Sequence, residues 1–121
     1  MKSLLLVAHG SRRVQSNEEI AEITQSLRDR LKDKFGAVEH AFLELAEPSI
    51  PGAIDQLVVN GATEVMILPY FLSAGRHVHE DVPGIVQSKQ QQYSDIKIQI
   101  SPYLGESEKI IDLLVALSTH N

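Results

Sequence analysis

The chain has 121 residues, 43% of them hydrophobic and 22% charged, with a formal net charge of −5 and no cysteine. That length is enough for one domain with a real core, and the missing cysteine excludes disulfides, zinc ribbons and thiol chemistry. The acidic balance leaves no basic stripe for phosphates, and three Tyr, three Phe and no Trp leave no stacking platform, which excludes a general nucleic-acid binder.

The longest apolar runs, SLLLVA and IIDLLVAL, are too short to cross a bilayer. Met1-Lys2 leads straight into the first apolar run, so no signal peptide is expected. A cysteine-free chain of this kind suits a reducing compartment, so a cytoplasmic protein without membrane association is expected.

Short apolar runs alternate with segments of helical period. Ser3–Ala8 is a continuous apolar run, the pattern of a strand covered on both faces. Ser16 and Glu19 then predict a capping box. Ile20, Ile23, Leu27, Leu31 and Phe35 form one apolar stripe, and Gly36 is the expected C-cap. Ala37–Leu45 reads as a second, less apolar strand. Ser49 with Pro51 predicts a helix start, Ile54, Leu57 and Val58 its buried face, and Asn60-Gly61 its end. Thr63–Tyr70 is the third strand. Asp81 and Pro83 are expected to open a third helix running to about Tyr93. Ile96–Ser101 alternates strictly, as a half-exposed edge strand does. Gly105–Ser118 makes the last helix.

The order βαβαβαβα predicts an α/β fold: a single doubly wound, flavodoxin-like domain over residues 1–121, with a four-stranded parallel sheet and helices on both faces. In such sheets ligands bind outside the carboxyl ends of the strands, where the strand order reverses. For an order 2-1-3-4 the reversal lies between strands one and three. The first strand releases His9-Gly10-Ser11-Arg12-Arg13. The third releases the segment containing Arg76, His77 and His79, and the second releases Glu44 and then Glu47-Pro48. Three of the five histidines therefore converge on one crevice from loops far apart in sequence. His9 offers a lone pair there as base or metal ligand. Gly10 permits a tight turn or close approach. Arg12 and Arg13 can draw an anion to the mouth, aided by the following helix N-terminus. His77 and His79 share a face only if the segment is extended; on a helix they point apart. His40 and His120 are expected bystanders.

No GxGxxG, Walker-type, HExxH or GxSxG motif is present. What is present is LLLVAHGSRR, then FLELAEPSI, then ILPYFLSAGRHVHEDVP. Taken in order, these blocks resemble the small CbiX-type sirohydrochlorin chelatases of the ferrochelatase superfamily, over nearly the whole chain. The resemblance implies insertion, without ATP, of a divalent metal substrate into the tetrapyrrole sirohydrochlorin. Co²⁺ is the first choice and Fe²⁺ or Ni²⁺ the alternatives, with no organic cofactor, in cobalamin or sirohaem biosynthesis. It also implies a homodimer, because longer relatives contain two such domains facing one cleft. Carried over by position, His9 and His77 are the metal-site histidines and Glu44 the assisting acid. Ser11, Arg12, Arg13 and Arg76 are expected to face the substrate, the arginines pairing with its peripheral carboxylates; the role of His79 stays open.

Three rival readings remain beside this one. LVAHGS is similar to the opening of histidine phosphatases, but the arginine that family places before its histidine is Ala8 here. The second rival is a metal- or tetrapyrrole-binding domain without catalysis, and the third a flavodoxin-like interaction domain in which the crevice histidines are incidental.

Overall fold

A computed structural model of the chain describes residues 1–120. Four strands, β1 (Lys2–Ala8), β2 (Ala37–Phe42), β3 (Glu64–Pro69) and β4 (Lys97–Ile100), form one parallel sheet in the order β2-β1-β3-β4. Four helices connect and follow them: α1 (Val14–Arg30), α2 (Ile50–Val59), α3 (Val82–Gln92) and α4 (Lys109–Ser118). The predicted doubly wound α/β architecture and strand order are both observed.

The strand patterns explain the layering. β1 is buried from Ser3 to Ala8 because helices cover both of its faces. On one side Leu5, Val7, Ala41, Val65 and Ile67 pack against Ile54 and Leu57 of α2 and Val82 and Val86 of α3. On the other, Leu6, Ala8 and Phe42 pack against Ile20, Ile23 and Leu27 of α1. Fully burying a leucine, isoleucine, valine or phenylalanine of these clusters is worth about 1.5–3 kcal/mol, so packing on both faces holds the central strand firmly.

Several boundaries differ from expectation. Ser16 does not cap α1. The helix begins at Val14 after Arg13, and the turn before it is held by Ser11 and Asn17: the Ser11 N–H donates to Asn17 Oδ1 at 3.1 Å, and Asn17 Nδ2 donates to the Ser11 carbonyl at 2.8 Å. The helix ends at Arg30 rather than Phe35, and Gly36 is no C-cap; its N–H donates to the Lys2 carbonyl and starts β2 beside β1. β2 stops at Phe42, not Leu45, because the chain leaves the sheet there and returns at Pro48, whose carbonyl accepts from the Phe42 N–H at 2.8 Å. Ser49 caps α2 as predicted, its hydroxyl accepting from the Gly52 N–H at 3.1 Å.

Two differences bear on function. Asp81 does not open the third helix: a π-helical turn over His77–Asp81 precedes α3 and runs into it. The last helix begins at Lys109 after a 3-10 turn over Leu104–Glu106, and its apolar side chains from Ile111 onward remain exposed. α1 therefore covers β1 and β2 on its side of the sheet, while Met66 and Leu68 of β3 on that side stay partly exposed.

Candidate functional site

The site grows out of three strand ends. β1 runs out at Ala8, and its last hydrogen bonds are made with the segment after β2: the Leu43 N–H donates to the Ala8 carbonyl at 2.9 Å and the Glu44 N–H to the His9 carbonyl at 3.0 Å. Gly10, at φ +97°, turns the chain immediately afterwards. A β-carbon there would lie 1.8 Å from the Glu44 carbonyl oxygen, so only glycine lets these two exit loops touch. Leu45, at φ 68°, swings the chain back toward Pro48. A non-glycine residue in that region stores about 1–3 kcal/mol of strain and is held by its surroundings. The outcome is a short excursion that displays Glu44 beside His9.

The third strand end arrives from the other side of β1. The Tyr70 N–H donates to the Val7 carbonyl at 2.8 Å, and the Gly105 N–H to the Phe71 carbonyl at 3.0 Å. Gly105 is a second close approach, since a β-carbon on it would meet the Leu72 carbonyl oxygen at 1.7 Å. The segment after β4 thus clasps the segment after β3 and fixes the path leading to His77. Nothing in the spacing of the sequence marks Gly105; the contact exists only in three dimensions.

At the meeting point the His9 and His77 rings stand edge-to-face, centroids 4.6 Å apart at 70°. His9 Nε2 is 3.7 Å from Glu44 Oε1. Phe71 stacks on His77, centroids 6.2 Å apart at 26°. His77 Nδ1 is 2.8 Å from Asp81 Oδ2, a contact between adjacent turns that exists because His77 is already helical. The sequence reading missed this role for Asp81, having placed the helix start four residues too late.

The other candidates fall around this centre. Arg12 and Arg13 are exposed beside it and join no salt bridge among the described residues. Arg76 immediately precedes the π-helical turn, largely exposed, with Nε 3.6 Å from Glu80 Oε2. The Ser11 hydroxyl accepts the Arg13 N–H at 3.0 Å, which shapes the turn and leaves its own O–H free to donate. His79 sits on the helical turn, exposed, so His77 and His79 do not form a metal pair. His40 lies along β2 opposite Leu6, away from the strand ends.

Chemically, the centre offers two imidazoles and a carboxylate at the mouth of a parallel sheet. Among the described residues no three His, Cys, Asp or Glu side chains already stand as a closed metal cage. Donors sharing one ion at about 2.1 Å each lie at most about 4.2 Å apart, and His9 and Glu44 are within that reach. With both side chains roughly half exposed, the arrangement suits an ion that arrives and leaves better than one held permanently.

The comparisons agree with this architecture. The CbiX family model matches residues 3–120. The chloroplastic sirohydrochlorin ferrochelatase of Arabidopsis thaliana is 36% identical over 92% of this chain and 48% of its own length. The sirohydrochlorin cobaltochelatase of Sulfolobus acidocaldarius is 34% identical over 94% of this chain and 87% of its own. The solved structure of the sirohydrochlorin chelatase SirB from Bacillus subtilis subspecies spizizenii, in complex with cobalt, superposes with a TM-score of 0.83 at 26% identity, over 95% of this chain and 48% of that one. The chain spans about half the length of the Arabidopsis relative and of SirB, and most of the Sulfolobus one. With nearly every residue covered by the family match, and with the fold shared by a solved member, the chain belongs to the CbiX family.

Proposed function

We propose that the protein is a sirohydrochlorin chelatase, inserting a divalent metal into the tetrapyrrole without ATP. The observation that carries this reading is the meeting of His9, His77 and Glu44 where the strand order reverses. Insertion must strip two pyrrole N–H protons while the ion sheds water and enters the ring. Imidazole binds borderline divalent ions and accepts protons near neutral pH, and a carboxylate supplements it in both tasks. In this reading His9 and His77 hold the incoming ion or take the protons, and Glu44 assists. Arg12, Arg13 and Arg76 pair with the peripheral carboxylates of the macrocycle, with the Ser11 hydroxyl beside them. Co²⁺ is the first choice of metal and Fe²⁺ the second. Both kinds of name occur among the relatives, and both ions accept the same donors.

The working unit in this proposal is a homodimer of single-domain chains in the cytoplasm. Two features support a second copy: relatives of double length carry the same fold, and α4 leaves Ile111, Leu113, Leu114, Val115 and Leu117 each more than half exposed. A large planar ligand also needs a second wall, which one sheet edge does not provide. No helix among the described residues is long and apolar enough to cross a membrane.

The test is anaerobic mixing of the purified protein with sirohydrochlorin and Co²⁺, Fe²⁺ or Ni²⁺, followed by absorbance. Insertion faster than the protein-free control is expected, with a loss of about 100-fold or more in His9→Ala and in His77→Ala. Equal rates with and without protein remove the assignment.

A further inference from the structure

We propose that Asp81 is a positioning residue: it holds His77 in the tautomer with hydrogen on Nδ1, leaving the Nε2 lone pair for a divalent cation at the cleft. The use of that lone pair rests on the chelatase reading; the tautomer does not. An ionised carboxylate only accepts hydrogen bonds, so the His77 Nδ1 facing Asp81 Oδ2 at 2.8 Å must carry the hydrogen. A neutral imidazole without such a partner prefers hydrogen on Nε2, and would then turn an N–H toward an arriving cation. Orientation of a histidine ligand by a carboxylate on its other nitrogen also raises its basicity toward metal.

The local fold is built for this contact. The turn over His77–Asp81 brings residues four apart face to face. The other acid in the turn, Glu80, is drawn to Arg76 instead, with 3.6 Å between Oε2 and Nε. Phe71 stacks on the His77 ring and His9 meets it edge-on, so the ring plane is confined by neighbours while Asp81 fixes which nitrogen bears hydrogen.

Nitrogen-15 NMR of the imidazoles in the metal-free, full-length protein, at mildly alkaline pH, reads the tautomer directly. Wild-type His77 is expected with hydrogen on Nδ1, and Asp81→Ala with hydrogen mainly on Nε2. Asp81→Asn, the same shape with a neutral acceptor, guards against loss of fold and is expected to retain part of the Nδ1–H form. Titration with Co²⁺ alone should show affinity about 10–100-fold weaker in Asp81→Ala. In a His77→Ala background the same substitution should change Co²⁺ affinity by less than about twofold, because the pair is then already broken. Hydrogen on Nε2 in the wild type, or an equal Asp81→Ala effect in both backgrounds, overturns the inference. A wild type with the expected tautomer and Co²⁺ binding, but no insertion into sirohydrochlorin, overturns the proposed function and leaves this inference standing.

Discussion

The carbonyl oxygen of Glu44 occupies the space that a side chain on Gly10 would need, 1.8 Å from where its β-carbon would stand. The first two strand exits are locked together at that point, and Glu44 is aimed at His9 by the same contact. Gly10→Ala adds a collision with backbone to an unfavourable positive φ, and about 2–4 kcal/mol of stability should be lost. Gly61, also at positive φ but with open space around it, is the control. Gly61→Ala should cost about 1 kcal/mol and leave metal insertion unchanged. Urea midpoints and insertion rates on both variants separate the two effects; equal rates in both would show that the Gly10–Glu44 contact does not shape the site.

His77 and His79 are two residues apart but face different surroundings, one in the cleft and one on the exposed side of a helical turn. His79→Ala is therefore expected to keep the insertion rate within about twofold, well short of the 10²–10⁴-fold that a positioned acid–base group contributes. A loss in His79→Ala comparable to that in His77→Ala would place the second imidazole on the metal path after all.

The fold was legible because its signals are local and repeated. The uninterrupted apolar run of β1, the Ser49 cap and the Asn60-Gly61 stop each carry their own physics, and each is observed. The histidines were legible because the topology of a parallel sheet decides which loops share an end. What escaped was tertiary in origin. Asp81 has the sequence context of a helix cap, with Pro83 behind it, and only the extra turn from His77 converts it into a ring partner. Gly36 and Ser16 likewise matched capping patterns, but the contacts of Gly36 with Lys2 and of Asn17 with Ser11 decided the boundaries.

The three arginines at the rim are exposed, and Arg12 and Arg13 have no acidic partner among the described residues. In the proposed function their contribution toward an anionic macrocycle is to capture rather than to chemistry. Arg12→Ala or Arg13→Ala should raise KM about 3–10-fold with kcat little changed. The wild-type KM should also climb with added salt, as screened surface charges require. A fall in kcat at constant KM would instead put the guanidinium groups in the reacting centre.

α4 carries leucines on a surface that nothing else among the described residues covers, and Leu114 is 52% exposed. In the proposed dimer a charge at that position is buried against the second copy or blocks its approach. Leu114→Asp is expected to weaken association at least about tenfold, since a lost apolar contact of 1.4 kcal/mol already does so. Sedimentation across a concentration series reads the result. A wild type that sediments as a monomer at every concentration removes the dimer from the proposal.

Acid should erode the stability of the fold over two successive pH ranges. Burial holds the His40 imidazole below its ordinary value of about 6.5, opposed by Glu39 and reinforced by Arg28. The unfolded chain therefore binds the proton first. Stability from a neutral His40 is fully present above about 6.5 and is lost as pH falls from there through the folded value. Asp55 lies below its ordinary carboxylate value because Lys89 and Tyr93 donate to it at 2.7 and 2.6 Å. Its contribution is present above the unfolded value and is lost at lower pH, as the folded carboxylate takes up its proton. The Asp55 side chain is 43% exposed, so screening keeps that contribution within about 1 kcal/mol. His40→Phe should flatten the stability profile just below pH 6.5. It should cost little elsewhere, because His40 Nδ1 has no hydrogen-bond partner to lose among the described residues and the ring already meets Phe42 edge-to-face. Asp55→Asn should leave that segment intact and flatten the more acidic one. Urea unfolding from pH 3 to 8 on the two variants checks the order; a His40→Phe profile identical to wild type between pH 5 and 6.5 would show that burial of this imidazole is not what acid attacks first.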